Sequence, residues 1–115
     1  AYDLRAVVAV DSVGRVRDDT VFVIGQSIHI DLGAAASAAL PAAGLRAGAD
    51  IDKFAFTDGS DHFPFHQQGV PSILFWASDY GVMNTADDEP ALVDPVGVAR
   101  LATALRGLLT NLLTR

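Results

Sequence analysis

Apolar positions along this chain gather in short runs separated by turn residues, and the period of each run predicts an element. Leu4 to Val10, LRAVVAV, is β-branched and almost continuously apolar, as expected of a strand covered on both faces. It stops at Asp11 in DSVGR, a turn containing Gly14. The charged stretch RVRDD reads as a surface loop, and Thr20 to Gly25 (TVFVIG) predicts a second strand. Asp52 to Phe56 (DKFAF) alternates polar and apolar positions and predicts a half-buried strand. Pro71 to Trp76 (PSILFW) predicts a further buried strand.

Helical signals lie between and after these runs. Asp31 to Gly44 suits a helix with Asp31 as N-cap and Gly44 as stop, ending or bending just before Pro41. A short helix is predicted after Gly59, with Ser60 as N-cap, Pro64 in the first turn and Gly69 as terminator. Asp94 followed by Pro95 opens a long C-terminal helix. There Val98, Leu101, Ala102, Leu105, Leu108, Leu109 and Leu112 form a stripe at helical spacing, opposite Arg100, Thr103, Arg106 and Thr110.

The order β-β-α-β-α-β-α predicts an α/β fold, with helices flanking a mixed, largely parallel sheet. At 115 residues the chain is one domain, and it is half hydrophobic, which excludes a disordered segment. The net charge of −6 and the single lysine, Lys53, argue against nucleic acid or an anionic membrane surface as partner. No apolar stretch in the sequence reaches the roughly 20 residues of a membrane span. The absence of cysteine removes disulfides and thiolate metal sites but leaves the compartment open.

In open α/β sheets ligands gather beyond the carboxyl ends of strands, and three polar segments occupy such places. Asp11 ends the first strand; Ser60, Asp61 and His62 follow DKFAF; Ser78 to Pro90 follows the last strand. Each has a plain structural reading too. A lone aspartate after a strand usually caps a turn, and a histidine in a first helical turn more often packs or hydrogen-bonds than ligates. His29 and His66 read as surface residues, and ADDE (Ala86 to Glu89) as a solvated acidic loop. Local reading therefore leaves Ser60-Asp61-His62 open between a reactive centre and a helix cap.

Taken in order, the three segments resemble the second half of the M28 family of zinc aminopeptidases, whose fold the glutaminyl cyclases share. VAVDSVGR (Val8 to Arg15) is similar to the family's LDMVGR-like strand end. SDHFPFHQQGVP (Ser60 to Pro71) is similar to its SDH-x-x-F…G-x-P block, and NTADDEPALVD (Asn84 to Asp94) occupies the place of its HTP-x-D…D segment. Each motif alone is weak; the specificity comes from the set in register across essentially all 115 residues.

The resemblance implies that residues 1–115 are the C-terminal portion of a zinc-exopeptidase-like sandwich, with its N-terminal half absent. It implies that Asp11 binds one of two zinc ions and that Ser60, Asp61 and His62 wall the active site. Asn84 stands where the family has its last zinc-binding histidine, and an amide oxygen is a poorer ligand, so that zinc is weakly held or the site is degenerate. The family's first histidine ligand, bridging aspartate and Glu-Glu pair, which includes the general base, precede the strand ending at Asp11, and nothing here supplies them. The expectation is thus a fragment without a catalytic residue of its own, inactive alone, from a protein that holds one or two zinc ions.

The function so implied is hydrolysis of N-terminal residues from a peptide substrate by metal-activated water. The alternatives are a glutaminyl cyclase-like acyltransferase, or a non-catalytic M28-like interaction domain, which Asn84 favours. Partners expected of the chain itself are its missing N-terminal half or a second copy, because an uncovered apolar strand seeks a neighbour. The resemblance leans towards a secreted or periplasmic parent.

Overall fold

The computed structural model describes residues 4–14, 16–77 and 94–114. Four strands form one sheet: β1 (Val7–Asp11), β2 (Thr20–Ile24), β3 (Arg46–Ala47) and β4 (Ser72–Trp76), in the order β1-β4-β2-β3. β1 runs parallel to β4 and β2 parallel to β3, while β2 and β4 are antiparallel, which makes the sheet mixed and largely parallel as expected. The helices are α1 (Ile30–Ala38), α2 (Asp52–Ala55), α3 (Phe63–Gln67) and α4 (Pro95–Leu113), with a 3₁₀ turn at Pro41–Ala43.

Strand alternation decides which face each side chain joins. Val21 and Val23 of β2 and Ile73 and Phe75 of β4 pack with Leu32 and Ala36 of α1 and with Leu101, Ala104 and Leu108 of α4. That layer is the core. Register places Asp11 opposite Trp76 and Ala9 opposite Leu74, so Asp11 belongs to the other face. β4 is buried from Ser72 to Phe75, as its unbroken apolar run requires of a central strand.

Several expectations are corrected. DKFAF is not a strand: residues 52–55 make one helical turn, closed by Ala55 N–H and Phe56 N–H donating to the carbonyls of Ile51 and Asp52. Five alternating residues fit a helical turn as readily as a strand, and the buried Asp52 carboxylate fixes the choice by binding the turn after β2. The third strand is instead the two-residue β3, too short to carry a period. β1 is not covered on both faces; it lies at the sheet edge, with Val10 and Asp11 exposed.

Helix ends follow local chemistry more closely. α1 stops at Ala38, ahead of Pro41, and Gly44 takes the left-handed conformation that closes the 3₁₀ turn. Its start lies two residues earlier than expected: His29 rather than Asp31 occupies the cap, Ile30 opens the helix, and Asp31 falls in the first turn, where its charge suits the helix dipole. Asp94 caps α4 by accepting from Gly97 N–H at 3.1 Å. The buried stripe of α4 is Gly97, Leu101, Ala104 and Leu108, so Val98, Ala102 and Leu109 of the expected stripe face solvent. Small residues set this rotation. A Cβ on Gly97 would lie 2.8 Å from Cβ of Val16, so the glycine permits the close approach. By length and composition α4 also qualifies as a membrane span, against the sequence expectation, but its buried stripe belongs to the core of this domain.

Candidate active-site edge

β1 delivers Asp11 to the carboxyl end of the sheet, where it is exposed. Its Oδ2 accepts a hydrogen bond from Ser60 Oγ at 3.0 Å, and its Oδ1 accepts from Ser12 Oγ at 3.2 Å. Ser12 adopts a left-handed backbone (φ 54°), unusual for a residue with a side chain, and its carbonyl accepts from Ala77 N–H at 3.3 Å. Two strand ends and the turn before α3 thus meet at one carboxylate. Each carboxylate oxygen has a lone pair to spare after one hydroxyl contact, so Asp11 retains capacity for a cation or a substrate donor.

The other sequence-predicted residues separate. Asp61 is exposed. His62 is only 1% exposed, its ring 4.8 Å from that of Phe56 and 6.1 Å from that of Phe63, and neither ring nitrogen has a hydrogen-bond partner among the described residues. His62 is therefore part of an aromatic interior and does not bond to Asp11. Ser60 does not cap α3, since His62 holds the cap position without a side-chain bond and the Ser60 hydroxyl is given to Asp11. Asn84 lies outside the described residues.

Sequence reasoning missed two further features, which lie towards the other end of the sheet, where antiparallel β2 ends beside the start of β4. Asp52, 5% exposed, accepts from Gly25 N–H (2.7 Å), Ser27 N–H (2.8 Å) and Ser27 Oγ (2.8 Å). It pins the turn after β2, where Gly25 needs φ 108°. His29 and His66 are not free surface residues: both are half-buried, and their ring nitrogens Nε2 and Nδ1 meet at 2.9 Å. No pattern in the sequence signals either contact, since each joins residues far apart in the chain.

Burial, with the neighbouring His66 second, holds both His29 and His62 below the ordinary histidine pKa; Asp52 acts in the opposite sense on each. Among the described residues no group of three or more His, Asp or Glu side chains is placed to hold a metal ion. The edge contributes one well-braced carboxylate, not a complete ligand set.

The mixed sheet, with a hydroxyl-bonded carboxylate where β1 ends, defines an α/β domain with a polar edge. The model of peptidase family M28 matches residues 1–109, and the chain belongs to that family. In fold it is similar to the crystal structure of Legionella pneumophila LapA aminopeptidase, at a TM-score of 0.68 and 16% sequence identity. That alignment covers 90% of this chain and 30% of the other, so the chain spans under a third of LapA's length. No curated protein matches it.

Proposed function

We propose that this chain is the C-terminal part of a zinc-dependent aminopeptidase of family M28 that hydrolyses N-terminal peptide bonds. The observation that carries the reading is Asp11: an exposed carboxylate at a strand end, with each oxygen braced by a serine hydroxyl. Fixing a carboxylate by hydrogen bonds to both oxygens is what a metal ligand needs if it is to meet a cation without reorganising. The family match and the LapA-like fold support the same assignment.

Asp11 would be one ligand of a zinc ion, with Ser12 and Ser60 as its positioning residues and Asp61 on the exposed wall beside it. The described residues do not complete the coordination shell. When bound, zinc in such a site polarises the scissile carbonyl and lowers the pKa of a bound water. The general base and the remaining ligands would come from sequence outside this chain, and the isolated chain would be inactive. What the chain itself does is to hold the carboxylate in place and wall one side of the substrate.

A second reading, a non-catalytic domain with a degenerate metal site, is favoured by Asn84 at the histidine position. The complete parent protein separates the two. Zinc binding together with release of N-terminal residues from short peptides, both weakened by Asp11→Asn, supports the peptidase. A folded parent that binds no zinc and cleaves nothing overturns it, and ammonia release from N-terminal glutamine peptides would indicate a cyclase instead.

A further inference from the structure

Three imidazoles crowd around Phe56. Its ring lies 4.8 Å from those of His62 and His66 and 6.2 Å from that of His29. His29 precedes α1 and His66 belongs to α3, and their rings meet edge to face at 5.1 Å with the nitrogens at 2.9 Å. His62, buried at the start of α3, has no partner at either nitrogen among the described residues. Among the described residues no third His, Asp or Glu side chain joins the pair in a group placed to hold a metal ion, and the two rings bond to each other.

We infer that this cluster is an acid-released clamp, which fastens α3 to the start of α1 while its rings are neutral and lets go when they take up protons. A bond between two imidazoles needs one N–H and one lone pair, and a neutral ring carries one of each. One proton leaves an imidazolium bonded to an imidazole; a second turns both facing nitrogens into donors and sets two cations against each other. His62 is worse placed still, since a charged ring there would be buried with no acceptor.

The charges that face the cluster do not rescue the protonated state. Asp52 of α2 favours a proton on His29 and on His62, and Asp61 favours one on His62. Burial opposes them and is the largest influence on both rings, followed by His66. The Asp52 carboxylate is already committed to three donors in the turn after β2. The sign follows. The folded His29 and His62 rings bind protons less readily than in the unfolded chain, so the clamp is fully stable above the ordinary histidine value of 6.5 and weakens as pH falls below it.

Release of α3 would also loosen the turn before it, and with it the Ser60 bond to Asp11. The clamp does not depend on the peptidase reading, because its readouts are structural. The test uses the whole chain, with NMR titration of the imidazole nitrogens and hydrogen exchange at Gln68, Gly69 and Val70, whose N–H groups bond back into α3. The expected result is titration of His29 and His62 below 6.5, with protection at those amides, corrected for intrinsic rate, falling about tenfold more than in α4 between about pH 7.5 and about pH 5. His29→Gln, which cannot take the proton, is expected to reduce that dependence. Titration of both rings at or above 6.5, or α3 protection that tracks α4 across the range, overturns the clamp; if His29→Gln does not fold, the wild-type measurements decide alone.

Discussion

The hydroxyl of Ser60 donates to Oδ2 of Asp11 at 3.0 Å, although 49 positions separate them. The bond ties the turn between α2 and α3 to the end of an edge strand. Two positions further on, His62 turns away and is buried against Phe56. One short segment therefore serves both the polar edge and the apolar interior.

Ser60→Ala removes this bond while leaving Asp11 hydrated. Because Asp11 is exposed, the expected loss of stability is small, about 0.5–1 kcal/mol, with Ser60→Thr restoring most of it. Urea unfolding of the chain measures this. On the proposed zinc-peptidase reading, the same change in the complete protein is expected to weaken zinc binding about 10–100-fold, by competitive titration against a chelator. Unaltered zinc affinity would show that Ser60 does not position Asp11 for metal.

Asp52 is expected to matter far more. Asp52→Ala strips the acceptor from two backbone amides, one of them on buried Gly25, and should lower stability by about 2–4 kcal/mol. Asp52→Asn keeps one oxygen and should lose about half as much. Equal, near-zero losses in both would mean that water replaces the carboxylate freely.

Two glycines in helices should respond with opposite sign to alanine. A Cβ on Gly33 would lie 2.5 Å from the backbone Cα of Gln26, so Gly33→Ala is expected to destabilise by about 1–3 kcal/mol despite the better helix propensity. Gly107 in α4 has nothing within 4 Å of that position, and Gly107→Ala should stabilise by about 0.5–1 kcal/mol. Thermal melts of the pair give the answer.

The rotation of α4 is tested by neighbours. Leu108 is 0% exposed and Leu109 50%. Leu108→Ala is expected to lose about 2–5 kcal/mol through an unfilled core space, against under about 1 kcal/mol for Leu109→Ala. Similar losses at both positions would put the stripe back where sequence periodicity drew it.

The candidate site was legible only in part. Asp11 stood out because a continuous apolar run ended on it, and Ser60 because it sat in a motif; their contact confirms that the two segments share an edge. The His29–His66 pair and the Asp52 clasp gave no local signal, since neither residue's neighbours carry a period or spacing that depends on its partner. His62 was expected in the wall because it stands in the segment that resembles the family's SDH block, whereas its ring follows Phe56 inward.

By itself the sequence determined the features that short-range physics governs: the buried run of β4, the end of α1 ahead of Pro41, and the Asp94-Pro95 opening of α4. The tertiary structure alone decided that residues 52–55 coil rather than extend, that β1 lies at an edge, and which side of α4 is covered. The reason is physical. Capping and ring constraints act within a few residues, whereas these outcomes depend on a buried carboxylate, a strand order and small-residue approaches set by partners remote in the chain.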